Sequence, residues 1–384
     1  MSINTGVVFG ERPLHEVKAE VMRRAGHLSP FEGMRATDAE RICNAITSLE
    51  RDVWARAWSA VGREYESEAD ALAVGGGAAD ALRELYLLAF NYYRIGRYPC
   101  AGSPLQLKAY EDSVKVYHKA SRYFASTMEV IRVPFGDQVL TGYLQKPPGV
   151  HKPPVVMHWG GVDGWKEDRL RAQSWLNQAG MAGFAIDMPG TGESPVRFTD
   201  PNAEKTFGVL IDYLLTRHDI DATRMGVWGG SFGGYWAARM AFVEARRLRG
   251  AVIHGSNVHY GFQEAWLRPA LTQKASAALF GPIGLFQARS KAMGVKTLDE
   301  FLAVAPSLSL LQLGLLDRPS APLLAVNGKL DDQAPIEDVY LLLEHGNPKE
   351  ARVYPEGLHM GRSKYVKDEE IGMMIVDWLK IRVG

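Results

Sequence analysis

Residues 225–234 read Met-Gly-Val-Trp-Gly-Gly-Ser-Phe-Gly-Gly, and this stretch gives the clearest indication of the fold. An apolar strand candidate ends at Trp228, the pattern G-x-S-x-G follows, and a helix candidate opens at Tyr235. This is the setting of a nucleophile elbow, in which small neighbours let the chain bend and the turn lifts the serine hydroxyl above the sheet. We therefore interpret Ser231 as a nucleophile; the alternative is a passive serine in a glycine-rich turn.

Strand and helix candidates alternate on both sides of this elbow. Such alternation predicts an α/β protein with a mostly parallel sheet and helices on both faces. The strand candidates are 155–158, 183–187, 225–228, 251–254, 323–326 and 351–354, and the helix candidates between them are 168–179, 202–217, 232–248, 336–345 and 368–381.

The chain changes character near residue 126. Before it, apolar residues recur at helical spacing over 38–64, 79–95 and 104–124, with a break at 75–77 and Pro104 in the first turn of the last helix. After it, 128–133 and 139–144 predict two strands around a turn at 136–137.

This change predicts two regions. We expect a helical cap region over 1–125 and a catalytic α/β domain over 126–384. The interval 256–320 is too long for a simple crossover, so we also expect a helical lid inserted over about 256–310.

A serine hydroxyl needs a general base, and His359 is the candidate. It lies in a loop after the last strand candidate and before the final helix, in the chain order Ser, Asp or Glu, His. His345 stands at a helix end, where an interaction with the helix dipole explains it better. The alternative for His359 is a loop histidine without a chemical role.

Asp331 is the candidate for the acid that orients His359. It follows the strand candidate 323–326 and lies in a loop at the carboxyl end of that strand. Its task is to accept the histidine N–H, fix the tautomer and stabilise the imidazolium. The neighbouring Asp332 is the alternative acid. Either residue could instead be an N-cap of helix 336–345, and Asp332 fits that role better.

Backbone N–H groups for an oxyanion are predicted at two places. One is Phe232, the residue after the nucleophile. The other is Gly161 or Val162, because His158-Trp-Gly-Gly161 resembles the His-Gly-Gly loop that donates such groups; the residues alone do not separate the two. We interpret His158 as structural, and the turn 187–194 (Asp-Met-Pro-Gly-Thr-Gly-Glu-Ser) as architectural.

Aromatic residues of the helical region, the lid and the oxyanion loop are candidates for an apolar substrate pocket. For each of them the alternative is an ordinary core residue. The candidates are Trp159, Tyr260, Trp266, Tyr92 and Tyr93.

The composition disfavours several classes of protein. Lys+Arg and Asp+Glu both number 44, so no basic excess points to nucleic acid or a membrane surface. We find no run of about 18 apolar residues and no signal-peptide core, so we expect a cytoplasmic protein. The two cysteines, Cys43 and Cys100, are expected to be free thiols. No metal or organic cofactor is implied, and the expected partner is a small-molecule substrate.

Together these segments resemble the α/β-hydrolase superfamily over residues 155–361. The helical N-terminal region, the segment 132–136 (Arg-Val-Pro-Phe-Gly) and Lys166-Glu167 after the Gly160-Gly161 loop are similar to the fermentation–respiration-switch esterase-like group. That group includes a C–C hydrolase acting on dihydroxypseudooxynicotine and fungal polyketide-shortening hydrolases. The resemblance implies a helical cap, an aromatic or polyketide-like substrate, and a Ser-His-Asp triad of Ser231, His359 and Asp331. Homodimers are common among such enzymes, but no sequence feature predicts one.

The leading prediction is hydrolysis of a carboxylic ester of an aromatic or bulky apolar small molecule through an acyl-enzyme. The same residues could cleave a C–C bond of an aryl ketone or polyketide, or transfer the acyl group to an alcohol or amine. The motifs do not separate these reactions, because the difference lies in the cap. A non-catalytic binding protein is disfavoured because all three triad positions hold the required residue.

Overall fold

A computed structural model describes residues 10–273, 278–345 and 349–384. The chain divides into two compact units. In the described part, the sheet unit comprises 128–273, 289–345 and 349–384, and the helical unit comprises 10–127 and 278–288.

The helical unit is built on the helices that precede the first strand, of which the last three pack against one another. The helical pattern over 38–64 spans two of them, because the chain is not helical over 46–50. Pro104 occupies the first turn of the last helix, as predicted, and the Ser103 hydroxyl caps it by accepting the N–H of Gln106 at 3.3 Å. The helices are α1 (Leu14–Arg24), α2 (Ala36–Ala45), α3 (Arg51–Val74), α4 (Ala79–Gly96) and α5 (Pro104–Ser121).

In the described part of the chain, eight strands form one sheet. They are β1 (Met128–Phe135), β2 (Gln138–Gln145), β3 (Pro154–Trp159), β4 (Ala182–Ile186), β5 (Asp221–Gly230), β6 (Leu248–His254), β7 (Leu323–Gly328) and β8 (Lys349–Tyr354). Their order in space is β1-β2-β4-β3-β5-β6-β7-β8. β1 and β2 form the predicted hairpin, β2 is also antiparallel to β4, and the other neighbours are parallel. The predicted mostly parallel sheet is confirmed.

Helices cover both faces of this sheet. The helices that follow β3 in the described part of the chain are α6 (Leu170–Gln178), α7 (Ala203–Leu215), α8 (Gly234–Val243), α9 (Glu264–Thr272), α10 (Pro282–Met293), α11 (Leu298–Val304), α12 (Ile336–Glu344) and α13 (Asp368–Val383). On one face, α6 and α13 enclose an apolar cluster with Val156 and Trp228. Side chains alternate along a strand, so Trp159 points to the other face, where it packs on Phe207 of α7.

The segment predicted as a lid, 256–310, is shared between the two units. Its described residues 256–273 and 289–310 belong to the sheet unit, whereas 278–288 belong to the helical unit. Its function as a lid stays a prediction. Cys43 and Cys100 are buried free thiols, as expected. None of the described helices combines the length and the apolar character that crossing a membrane requires.

Candidate active site

The predicted triad residues follow three strands of the sheet. Ser231 comes directly after β5, Asp331 follows β7, and His359 follows β8. These strands are parallel, so their carboxyl ends lie at the same edge of the sheet, where α/β proteins place their functional groups.

The three side chains form one hydrogen-bonded chain. Ser231 Oγ lies 2.7 Å from His359 Nε2, and His359 Nδ1 lies 2.8 Å from Asp331 Oδ2. An ionised carboxylate only accepts hydrogen bonds, so Nδ1 carries the proton and donates it to Asp331. Nε2 is then the acceptor for the serine hydroxyl, which is the arrangement of a general base beside a nucleophile.

The turn at Ser231 depends on its glycines. Ser231 has φ 53°, a backbone conformation that non-glycine residues rarely adopt and that is common at strained functional turns. A Cβ on Gly229 would overlap the carbonyl of Gly233, and a Cβ on Gly233 would overlap the carbonyl of Gly160. The small residues of the G-x-S-x-G pattern are therefore a steric requirement of the elbow.

Asp331 is buried and ionised. Burial alone would raise its pKa, but attraction to His359 and accepted hydrogen bonds hold the pKa of Asp331 below its usual range. One of these bonds comes from the Gln333 N–H to Oδ1 at 2.8 Å. Asp332 does not cap α12 as predicted, because Pro335 occupies the N-cap position.

Two residues that sequence reasoning did not assign hold the loop of His359. The N–H of Met360 donates to Asn327 Oδ1 at 3.1 Å, and the Met360 carbonyl lies 2.9 Å from His254 Nε2. Burial lowers the pKa of His254 to about 3, so its ring is neutral and Nε2–H donates to that carbonyl. Asn327 is the penultimate residue of β7 and His254 is the last residue of β6. Their positions at the carboxyl ends of strands are the signal that the sequence offers.

Gly161 approaches the nucleophile closely. A Cβ built on Gly161 would lie 2.7 Å from Ser231 Cβ, 3.0 Å from Ser231 Oγ and 3.3 Å from the Phe232 nitrogen. Val162 is buried, and its carbonyl accepts the Trp165 indole N–H at 3.1 Å. The backbone of Gly161 therefore borders both Ser231 and the Phe232 N–H, and the assignment of oxyanion donors to these residues stays a prediction.

His158 is part of the scaffold. It lies within β3 rather than in a loop, is fully buried, and its Nε2 is 3.0 Å from Gln173 Oε1. Its Nδ1 accepts the Arg169 Nε–H at 3.3 Å. Burial lowers the pKa of His158 to about 3, so the ring is neutral and Nε2–H donates to Gln173.

A buried cation organises the turn 187–194. Lys166 Nζ lies 2.8 Å from carboxylate oxygens of Glu167, Asp187 and Glu193. Asp187 also accepts the N–H groups of Lys166 and Glu193, each at 2.9 Å. This network gives the turn the architectural role that the sequence predicted.

The five pocket candidates occupy different places. Trp159 is fully buried beside the elbow and donates its indole N–H to the Gly233 carbonyl at 2.7 Å. Tyr92 and Tyr93 lie inside the helical unit, with hydroxyls bound to Asp38 and Glu66. These three positions match the core alternative. Tyr260 is 44% exposed, and Trp266 is half-buried on α9.

A search of the described residues found no group of His, Cys, Asp and Glu that could hold a metal ion. Nucleophile, base and orienting acid are in contact, and a glycine backbone lies against the nucleophile.

Comparison with known proteins gives matches over most of the chain. The model of the esterase FrsA-like family matches residues 34–357. Esterase FrsA from Photorhabdus laumondii subsp. laumondii is 29% identical over 269 residues, which are 67% of this chain and 61% of that protein. Esterase FrsA from Escherichia fergusonii is 28% identical over 262 residues, with the same two shares. The chain thus spans about three fifths of the length of these relatives.

Two solved structures match nearly the whole chain. The crystal structure of the 2,6-dihydroxy-pseudo-oxynicotine hydrolase has a TM-score of 0.74 at 21% identity and covers 96% of this chain and 95% of its own. Wild-type AbyA5 has a TM-score of 0.72 at 20% identity, and the match covers 97% of this chain and 100% of the AbyA5 chain. These likenesses identify the fold as the α/β-hydrolase fold that the motifs predicted.

Proposed function

The chain belongs to the FrsA-like esterase family, and from that premise we propose that it hydrolyses a carboxylic ester through an acyl-enzyme on Ser231. The observation that carries the proposal is the unbroken hydrogen-bonded chain from Ser231 Oγ through His359 to Asp331. The proposed substrate is an ester of an aromatic or bulky apolar small molecule. The name of the structurally similar 2,6-dihydroxy-pseudo-oxynicotine hydrolase refers to a small aromatic molecule, which supports the aromatic character of the proposed substrate and not its ester bond.

In the first half of the proposed reaction, His359 Nε2 takes the proton of Ser231 as Oγ attacks the ester carbonyl. The bond from Oγ to the carbonyl carbon forms, and the carbonyl oxygen becomes an oxyanion. His359 then gives its proton to the alkoxide, which leaves as the alcohol. Asp331 stabilises the transient imidazolium through the bond at Nδ1.

The oxyanion is proposed to accept the N–H of Phe232 and an N–H from Gly161 or Val162. The close approach of Gly161 to Ser231 supports this position for the donors. Preorganised donors act on charge that develops only during the reaction, and one such donor is worth roughly 2.7–4 kcal/mol. In the second half, His359 takes a proton from water as the water oxygen attacks the acyl carbon. The bond from that carbon to Oγ then breaks, His359 returns the proton to Oγ, and the acid is released.

The test compares wild type and Ser231→Ala on a panel of short-chain and aromatic p-nitrophenyl and methyl esters. Loss of the nucleophile should reduce turnover by about a million-fold where chemistry limits the rate. Ser307→Ala is the matched control, because Ser307 is an exposed serine whose hydroxyl donates to the Val304 carbonyl. Its turnover should equal that of wild type.

A fluorophosphonate probe separates the remaining outcomes. Labelling at Ser231 without turnover of any ester would favour cleavage of a C–C bond beside a ketone, or acyl transfer to an alcohol or amine. Absence of both labelling and turnover would overturn the proposal in favour of a non-catalytic binding protein.

A further inference from the structure

Arg289 is a buried cation next to the residue that follows the nucleophile. It lies on α10 and is 2% exposed. Its guanidinium carbon is 5.3 Å from the centre of the Phe232 ring. Its Nη2 donates to the Gln333 carbonyl at 3.3 Å, and the N–H of Gln333 in turn donates to Asp331. The guanidinium thus contacts both the elbow and the loop of the orienting acid.

Most of the hydrogen-bonding capacity of this guanidinium is unused by the protein. Nε and Nη1 are buried, and neither has a hydrogen-bond partner among the described residues. Buried arginines are normally paired, because an unsatisfied N–H or an uncompensated charge away from water is costly. The arrangement is therefore incomplete without a further acceptor.

The nearby carboxylates do not complete it. Asp331, Asp332 and Asp163 lie close enough to attract the guanidinium electrostatically. None of these carboxylates, however, accepts a hydrogen bond from Nε or Nη1, and the oxygens of Asp331 are engaged by His359 and by the Gln333 N–H. Burial lowers the pKa of Arg289 to about 10, so the side chain remains a cation at neutral pH.

We propose that Arg289 binds a carboxylate group of the substrate and so selects acidic esters. An anion would accept the unused N–H groups in charge-assisted hydrogen bonds, which are stronger than hydrogen bonds to a neutral acceptor. This inference rests on the proposed ester hydrolysis and narrows its substrate class. Arg289 is proposed to act in binding, so it should hold the anionic group of the substrate while Ser231 reacts with the ester carbonyl.

The kinetic test uses matched pairs of esters that differ in one carboxylate. In the first pair, p-nitrophenyl hemisuccinate carries a carboxylate on the acyl chain and p-nitrophenyl butyrate does not. In the second pair, 4-acetoxybenzoate carries a carboxylate on the alcohol part and phenyl acetate does not. Wild type should prefer the acidic member of at least one pair. In Arg289→Gln the ratio of kcat/KM for the acidic to the neutral ester should fall about 10- to 100-fold, as for a hydrogen bond to a charged group. Arg289→Lys should restore part of it.

The exposed Arg318 supplies the control, since Arg318→Gln should leave every ratio as in wild type. Equal losses on acidic and neutral esters in Arg289→Gln would overturn the proposal and assign Arg289 to the support of the Asp331 loop. The absence of any acidic preference in wild type would overturn it as well.

A binding measurement keeps this inference separate from the proposed reaction. In the Ser231→Ala background, calorimetric titration should show tighter binding of p-nitrophenyl hemisuccinate or 4-acetoxybenzoate than of the neutral partner. That difference should disappear in the Ser231→Ala, Arg289→Gln double variant. If the difference persists in the double variant, Arg289 is not the binding group, whatever the turnover assays have shown.

Discussion

Burial and hydrogen bonding act in opposite directions on Asp331, and the hydrogen bonds prevail. Burial penalises the carboxylate, but the contact with His359 and the N–H of Gln333 hold the pKa of Asp331 below its usual range. The Asp331 side chain is therefore a charged acceptor for the His359 N–H. Both the tautomer and the orientation of the histidine follow from this charge.

The first prediction separates Asp331 from its neighbour. Asp331→Asn should reduce kcat by about 10⁴-fold, because an amide does not impose the Nδ1–H tautomer on His359. Asp332→Asn should change kcat by no more than about twofold, since it breaks none of the bonds to His359. Steady-state kinetics on the best ester of the panel measures both. Similar losses in the two variants would contradict the assignment of Asp331.

The second prediction concerns the glycine beside the nucleophile. Gly161→Ala should lower kcat by about 10²- to 10³-fold, because the new Cβ would lie 3.0 Å from Ser231 Oγ and displace the backbone that borders the oxyanion. Gly164→Ala is the control in the same loop, since no heavy atom lies within 4 Å of its added Cβ. If both alanines were tolerated alike, the Gly161 loop would not contribute to the reaction.

Among elements, the carboxyl ends of β6 and β7 position the loop that carries His359. His254 binds the carbonyl of Met360, and Asn327 binds its N–H; Met360 is the residue after His359. Met360 has φ 65°, so the loop adopts a conformation that these two bonds must hold against strain. The loop of His359 follows β8 but is therefore held in place by residues of β6 and β7.

The third prediction tests that support. Asn327→Ala should lower kcat about tenfold to a hundredfold with a smaller effect on KM, because a misplaced base affects the reaction more than binding. The rate of fluorophosphonate labelling at Ser231 should fall in parallel. A variant with lower melting temperature but an unchanged labelling rate would show that Asn327 stabilises the loop without positioning His359.

The fourth prediction concerns the buried ions of the turn 187–194. Lys166→Met should destabilise the protein by about 3–5 kcal/mol, because it leaves the buried carboxylates of Glu167 and Asp187 without their cation. Lys108→Met removes an exposed pair with Asp112 and should cost less than about 1 kcal/mol. Denaturant unfolding measures the difference; equal costs would mean that the buried network is not stabilising.

Local patterns made much of this architecture predictable. The elbow was recognisable because its glycines and its strand–turn–helix setting are contiguous in sequence, and the hairpin because β1 and β2 adjoin a single turn. The sequence marks His254 and Asn327 only by their positions at the carboxyl ends of strands. Their hydrogen bonds to Met360, and the contact of Arg289 with Phe232, depend on neighbours remote in sequence. The break between α2 and α3 was also missed, since apolar spacing continues across it.

At the scale of the whole molecule, the helical unit is assembled from two distant parts of the chain. Phe280 contributes a buried ring that meets Trp54 edge-on at 4.8 Å, and the Arg51 guanidinium carbon lies 4.2 Å from the centre of that ring. Arg51 also donates to Gln287 Oε1 at 2.9 Å. The predicted boundary near residue 126 marks where the sheet begins. It does not account for residues 278–288, which also belong to the helical unit.

The fifth prediction follows from this assembly. Phe280→Ala should cost about 3–5 kcal/mol, because it removes a buried ring from the interior of the helical unit. The loss of stability should be largest in the helical unit. Amides of α3 near Trp54 should therefore exchange hydrogen faster, while those of β5 and β6 keep their protection. Phe301→Ala is the reciprocal control, since Phe301 is equally buried but belongs to the sheet unit. If Phe280→Ala weakened protection equally in α3 and β5, the two units would unfold as one cooperative body, and 278–288 would stabilise the entire chain.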